Sequence, residues 1–401
     1  MSEKKQISFT EVNKLMSQTS KYGGVASEGT VSRITDYIST GNYMLNACMT
    51  GSIFKGIPAN RATCLSGDSS TGKSFLLLNM CREAIKRGYY VLYYDSEFTI
   101  DDEQMKSFGI DTAKVRYEPI ETVQEFKSSV VSILDAMIAE KERGNEVPKF
   151  FVALDSLGNL ATQKEIDDAK TQSDKADMTR AKLIRSTFRM CLTKLGKLDS
   201  AFVFTNHVYQ SQDMFGGTIQ SGGKGLVYGA SVILNLSKGK LKEEGNIQTG
   251  VRVFAVPQKN RFCVPTPIEF NISYIKGMNP YVGLEKYVSW ENCGIGRGKF
   301  ITDKDYEKLK DADKSKCKEV ICQDGTIKYF LQSDSGRNIC TDDGNTFGLR
   351  ELWTPAVFTE ERLLRIDEVI SAQLSYSQFG EEELEDVLSS ENISDTEDNE
   401  I

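Results

Sequence analysis

A single histidine, His207, stands in the 401 residues. The nine cysteines are scattered, odd in number and without a CxxC spacing, and the closest pair, Cys317 and Cys322, has no histidine nearby. These absences argue against a zinc site and against a disulfide framework. No run reaches the roughly 18 apolar residues of a membrane helix. Met1–Thr10 is polar and lysine-bearing, without the apolar core of a signal peptide. A cytoplasmic protein is expected. A large excess of one charge is also missing from most of the chain. The net charge is −8, but residues 380–401 carry ten acidic groups and no Lys or Arg, and without them 49 basic residues face 47 acidic ones. Any nucleic-acid site must therefore be a local stripe and not a global field.

The length predicts two to three structural units. Ser8 and Glu11 have capping-box spacing, and Val12, Leu15 and Met16 follow on one helical face. So short a helix needs a surface to pack on, either its own core or a neighbouring copy. Residues 1–38 are read as an N-terminal arm, 39–284 as an alternating α/β core, 285–379 as a smaller C-terminal α/β domain and 380–401 as an acidic disordered tail. The tail admits two readings, a solubilising segment or a competitor for local basic surface. Within the core, Ala62–Leu65, Tyr89–Tyr94, Phe150–Leu154, Ala201–Phe204 and Val232–Leu236 are continuous apolar runs, the mark of parallel strands buried on both faces. Phe75–Lys86 and a stretch opened by Thr122 and Glu125 read as helices. Val251–Val256 and Ile268–Tyr274 follow without long helices between them, so the sheet should begin parallel and end antiparallel. A further helix is expected over Arg362–Leu374.

Gly67-Asp68-Ser69-Ser70-Thr71-Gly72-Lys73-Ser74 matches GxxxxGK[ST] between a strand and a helix. Glycines let backbone N–H groups curl around phosphates, and the helix N-terminus adds a favourable dipole. Lys73 would reach the β- and γ-phosphates of ATP, and Ser74 would hold Mg²⁺. The strand-loop-helix context argues against a chance match. Asp155, ending Phe150-Phe-Val-Ala-Leu-Asp155, is the expected second ligand of the metal. Glu97, ending Tyr93-Tyr-Asp-Ser-Glu97, is either a solvated loop acid or the base that deprotonates the attacking water. Strands of a parallel sheet deliver their C-terminal ends to one edge, so Lys73, Glu97 and Asp155 can converge.

Read together, Asp155-Ser-Leu-Gly-Asn-Leu-Ala, Asp177-Met-Thr-Arg-Ala-Lys, Thr205-Asn-His, Asp213-Met-Phe and Gly222-Gly resemble the RecA family, most closely the UvsX recombinases of T-even-like phages. The likeness covers about residues 30–285, with Ile38-Ser-Thr-Gly-Asn-Tyr as a similar lead-in, and is loose beyond. It implies a RecA-like P-loop ATPase with a mostly parallel sheet that forms a helical filament on single-stranded DNA and exchanges strands with a homologous duplex. The cytoplasm would then be the host cell's if the chain is phage-encoded. A recombination mediator and a single-strand-binding protein are further implied partners. Glu97 falls on the family's catalytic glutamate, and Asn206 and His207 fall at a strand end on its γ-phosphate sensor. Lys259 and Arg261 match paired basic residues sent to a neighbour's ATP. Two DNA-binding loops map to roughly 162–175 (Lys164, Lys170 and Lys175, with Arg180 on the next helix) and 208–225. In the second, Met214 and Phe215 could wedge between bases while Gly222, Gly223 and Lys224 approach phosphates. Without the resemblance, these loops read as mobile surface and Lys259 and Arg261 as solvated cations. One departure stands out: Gln104 occupies the place of a tyrosine that the family often sets against adenine.

The rival reading is a hexameric replicative helicase, which shares the phosphate loop and both acids. The Met-Phe glycine-rich loop, the Asn-His pair and the lack of a substantial N-terminal collar argue against it. A nucleotide-switched DNA-binding assembly protein without strand exchange is a second rival, opposed by the intact set of Lys73, Glu97 and Asp155.

Overall fold

The computed structural model describes residues 7–17, 25, 33–170, 179–210, 218–220, 229–240, 249–322 and 324–376. The acidic tail lies outside these residues. Helix α1 (Phe9–Ser17) starts where the capping box places it, with Ser8 N donating to Glu11 Oε2 at 2.9 Å and Glu11 N donating to Ser8 Oγ at 3.3 Å. Its side chains Phe9, Leu15 and Met16 are 71%, 60% and 60% exposed, so the apolar face is not buried on its own core. Strands β1 (Tyr37–Ile38) and β2 (Ile57–Pro58) form a short antiparallel ribbon around α2 (Tyr43–Thr50).

The core then alternates. In chain order it runs β3 (Ala62–Gly67), α3 (Lys73–Lys86), β4 (Tyr90–Asp95), α4 (Asp102–Ser107), β5 (Val115–Pro119), α5 (Val123–Glu142) and β6 (Phe150–Asp155). Next come α6 (Gln163–Lys170), α7 (Arg180–Lys197), β7 (Ala201–Gln210), β8 (Thr218–Gln220), β9 (Val232–Lys240), β10 (Gly250–Asn260), β11 (Ile268–Ser273) and β12 (Gly277–Met278). These strands make one sheet in the order β12-β11-β10-β9-β3-β7-β6-β4-β5, with β8 paired to β7. Neighbours from β9 to β5 are parallel, and β10, β11 and β12 close the other side antiparallel, as the sequence predicts. Every residue of β3 and β6 is buried. Alternate residues face two apolar layers: Val91, Tyr93, Phe151 and Ala153 lie with α2 and α3, while Leu92, Tyr94, Val152 and Leu154 lie with α5 and α7. Thr122 and Glu125 form the expected capping box on α5. Sequence reasoning passed over β5, because Val-Arg-Tyr-Glu-Pro is a half-exposed edge strand without a continuous apolar run.

Beyond the core, β13 (Ile295–Ile301), β14 (Cys317–Ile321), β15 (Ile327–Gln332), β16 (Asn338–Thr341) and β17 (Thr346–Gly348) form an antiparallel sheet in the order β14-β15-β13-β16-β17. Phe330 centres it, stacked on Trp290 at 4.0 Å. The glycine at 296 makes room, since a Cβ there would lie 2.5 Å from the Phe330 ring. The final helix, α8 (Glu360–Leu374), returns to the main core and buries Leu363, Ile366, Ile370 and Leu374 there. Asp367 fixes it by accepting from Ser52 Oγ at 3.0 Å and Ile53 N at 2.6 Å. Among the described residues no helix is long and apolar enough to cross a membrane.

The segment entering the core is clamped by Asp36, which is 8% exposed. Its carboxylate accepts from Arg87 at 2.7 Å, Lys149 at 3.0 Å and the Tyr89 hydroxyl at 3.0 Å. Burial pushes its pKa up, but these three donors outweigh it and hold the carboxyl below its ordinary value. A depressed acid stabilises the fold above its unfolded value, near pH 4, and the contribution is lost as pH falls through the folded value. Asp36→Asn should lower stability by about 1–2 kcal/mol at pH 7, discounted for the half-exposed cation heads. Thermal melts should show that deficit shrinking as the pH drops below about 4; a deficit equal at all pH values would contradict the clamp.

Candidate active site

The phosphate loop leaves the C-terminal end of β3 and enters α3. Gly72 caps that helix at φ +91°, with no side-chain hydrogen bond to the first turn, so the first N–H groups are left for a ligand. A Cβ on Gly67 would lie 2.4 Å from the Leu236 carbonyl oxygen, so only glycine permits this approach of β3 to β9. Thr71 Oγ1 donates to the Asp68 carbonyl at 2.9 Å, and Lys238 Nζ donates to the Ser69 carbonyl at 3.2 Å. Ser70 takes a left-handed φ of +60°. Lys73 is 7% exposed, and its Nζ donates to the carbonyls of Gly67 at 2.9 Å and Asp68 at 2.7 Å. Burial lowers the pKa of this ammonium, opposed by the carboxylates of Glu97, Asp155 and Asp68.

Asp155, at the end of β6, is 2% exposed and is bonded by the side chains of Thr205, Ser74 and Tyr93, the last at 3.1 Å. Burial raises its pKa; the three hydroxyls oppose the rise and Glu97 adds to it. The Ser74 hydroxyl and a carboxylate side by side are a hard-oxygen pair suited to Mg²⁺. Asp95 of β4 lies level with Asp155, and His207 of β7 lies level with Gly67. That register sets His207 Nε2 3.0 Å from Glu97 Oε1. Residues from four strands thus meet at one sheet edge, with a cation, a hydroxyl–carboxylate pair and a second carboxylate around the mouth of a phosphate loop.

A family model for the RecA N-terminal domain matches residues 10–279. The chain belongs to the RecA family. It is 31% identical over 251 residues to the "Recombination and repair protein" of Enterobacteria phage T4, an alignment covering 62% of each chain. It is also 28% identical over 247 residues to "Protein RecA" of Malacoplasma penetrans, covering 61% of this chain and 70% of that one. With "Protein RecA" of Thermus aquaticus it shares 26% identity over 317 residues, covering 75% and 89%.

Other expected residues of this RecA-family chain fall elsewhere. Lys259 lies inside β10, which runs on to Asn260, so it does not follow the strand as the sequence reading had it. It pairs with Ile233 at the start of β9, whereas the phosphate loop is level with Leu236, so Lys259 and Arg261 lie toward the opposite sheet edge from Lys73. Nor do Asn206 and His207 end a strand: β7 continues to Gln210 and pairs with β8. The first expected loop is helical over Gln163–Lys170, where Lys164 is exposed and Lys170 pairs with Asp167 at 3.7 Å. Arg180 opens α7 and donates to the Gly158 carbonyl at 2.8 Å, while a Cβ on Gly158 would lie 3.1 Å from the His207 ring. Gln104 sits in the first turn of the exposed helix α4. Lys175, Met214, Phe215, Gly222, Gly223 and Lys224 lie outside the described residues. Sequence reasoning gave no role to Tyr93 or Thr205, the buried hydroxyls that hold Asp155, although both fall inside the motifs it quoted. It also passed over Tyr274, 62% exposed and two residues beyond Ile272, whose Cδ1 would lie 2.9 Å from a Cβ on Gly72.

The raised pKa of Asp155 has a measurable sign. A raised acid stabilises the fold fully below its unfolded value and loses that contribution as pH rises through the folded value. At neutral pH the charge opposes folding. Asp155→Asn should therefore raise the nucleotide-free Tm by about 2 °C at pH 7, with the gain fading toward pH 4. A lower Tm at pH 7 would contradict this.

Proposed function

We propose that this chain is an ATP-dependent DNA recombinase that assembles on single-stranded DNA and exchanges it with a homologous duplex. The observation that carries the reading is the 3.0 Å contact between His207 and Glu97 above the loop of Lys73, since it joins a hydrolytic site to the strand that leads into the second expected DNA loop. Lys73 would exchange its two carbonyl partners for phosphate oxygens of ATP. Ser74 and Asp155 would hold Mg²⁺, which supplies positive charge for the phosphate oxygens. Glu97 accepts a proton from water as the water oxygen bonds to the γ-phosphorus. The bond from that phosphorus to the bridging oxygen breaks, and its electron pair leaves with ADP, giving inorganic phosphate. Gly67, Asp68, Ser69, Ser70, Thr71 and Gly72 form the cradle. Gln104 is a proposed base contact, and the exposed ring of Tyr274 is a second candidate beside it.

His207 is the proposed γ-phosphate sensor. It reaches the first DNA loop through Gly158 and Arg180, and it reaches the second along β7. Lys164, Lys170, Lys175 and Arg180, and in the second loop Met214, Phe215, Gly222, Gly223 and Lys224, are the proposed DNA contacts. Lys259 and Arg261, placed away from their own chain's phosphate loop, suit completion of a neighbour's site. Such completion would make turnover depend on assembly. The exposed apolar face of α1 supports a role for the 1–38 arm in joining copies, and a mediator and a single-strand-binding protein are the proposed accessory partners. ATP would act as a conformational ligand that binds the DNA-holding arrangement better. The family assignment and the match to a recombination and repair protein favour this reading over the helicase.

DNA-stimulated ATPase and strand-exchange assays test it. Lys73→Ala should abolish both activities. Glu97→Gln should retain nucleotide binding while turnover falls by about 10²–10⁴. Strand exchange by the Lys73 variant, or full turnover by the Glu97 variant, would contradict the mechanism.

A further inference from the structure

Asp95 ends β4 with its side chain wholly buried, two residues before Glu97. Four successive backbone amides converge on its carboxylate. Glu97 N at 2.8 Å and Phe98 N at 2.9 Å donate to Oδ1, and Thr99 N at 3.1 Å and Ile100 N at 3.3 Å donate to Oδ2. The Tyr117 hydroxyl, from edge strand β5, adds a fifth donor to Oδ2 at 3.0 Å. The chain curls around one anion to achieve this, and Phe98 takes a left-handed φ of +54°, a conformation that a phenylalanine rarely adopts without outside support. Ser96, between the two acids, ties the same turn to the end of β6. Its N donates to the Asp155 carbonyl at 2.7 Å, its Oγ donates to the Ser156 carbonyl at 2.7 Å, and its Oγ accepts from Ser156 N at 2.9 Å. The backbone of Glu97 is thereby held from behind by Asp95 and from the side by the strand that carries Asp155.

We infer that Asp95 is a positioning residue for Glu97, with Tyr117 as its outer prop. The inference rests on the reading of Glu97 as the base. A carboxylate presents acceptors to every amide in the curl, whereas an asparagine of the same size must point its NH₂ at N–H groups already seeking an acceptor. The turn then loosens, and Glu97 loses its fixed place beside His207. Among the described residues the bonds of Asp95 run to the 97–100 turn and to Tyr117 and not to the phosphate loop, so the contacts of that loop with phosphate are untouched. The role therefore separates from a merely structural one in the division between kcat and KM and in its dependence on Glu97.

Steady-state ATPase measurements on the full chain with single-stranded DNA decide it, using Asp95→Asn, Tyr117→Phe, Glu97→Gln and the two doubles with Glu97→Gln. Asp95→Asn should lower kcat about tenfold to a hundredfold while the KM for ATP stays within about twofold. Tyr117→Phe, which removes one hydroxyl from a partly exposed ring, should lower kcat about threefold; it carries the test if Asp95→Asn does not fold. Neither change should slow the Glu97→Gln enzyme further, because the group they position is already gone. A normal kcat in both single variants, or an equal loss in the presence and absence of Glu97, would overturn the inference while leaving the base assignment intact. Full turnover by Glu97→Gln alone would overturn the base assignment, and this inference with it.

Discussion

Parallel hydrogen bonding from β9 through β3, β7 and β6 to β4 is the constraint on which the rest of the site depends. Residues 67, 95, 155 and 207 are far apart in sequence, yet the register sets Gly67 beside His207 and Asp95 beside Asp155 at one edge. The phosphate loop, the Ser74 and Asp155 pair and the Glu97 turn all hang from those strand ends. A slip of one residue in β6 would turn the Asp155 side chain toward the opposite face of the sheet. Two apolar layers, one on each face, prevent that slip, because every residue of β6 is buried on one side or the other.

Such burial works against the charges it positions. Lys73 and Asp155 are both nearly inaccessible, and burial disfavours the charged form of each. Each answers with local partners: Lys73 takes two loop carbonyls, and Asp155 takes three hydroxyls. These bonds are the kind that a nucleotide and its cation can replace, so the site is poised by desolvation as well as by shape. The same edge offers a physical route outward, from Glu97 to His207 and from the His207 ring across Gly158 to Arg180 at the start of α7. In the proposed mechanism, that route lets the state of the nucleotide reach the DNA-binding segments.

Much of this was legible in the sequence because its signals are short-range or periodic. The phosphate loop is a contiguous motif, the buried strands are unbroken apolar runs, and the Thr122 and Glu125 capping box is a three-residue spacing. Strand β5 escaped because Arg116 and Glu118 interrupt its apolar pattern on an exposed edge. The true lengths of β7 and β10 escaped because polar residues such as Asn206, His207 and Lys259 continue the ladder past the apolar run; extended backbone there is held by pairing of Asn206 and His207 with β3, of 208–210 with β8 and of Lys259 with β9. The hydroxyls of Tyr93 and Thr205 were invisible as ligands of Asp155, since only the fold brings strands β4 and β7 to either side of β6. Asp95 is one of two acids in its motif, and its backbone cradle depends on a left-handed residue that no composition signals.

Electron microscopy of the full chain on single-stranded DNA, with a non-hydrolysable ATP analogue and an ADP control, tests the central claim most directly. The account predicts long helical filaments that form with the analogue and not with ADP, because the nucleotide would stabilise the DNA-holding arrangement and a neighbour's Lys259 and Arg261 would complete each site. Closed rings, or no assembly on DNA with either nucleotide, would contradict it.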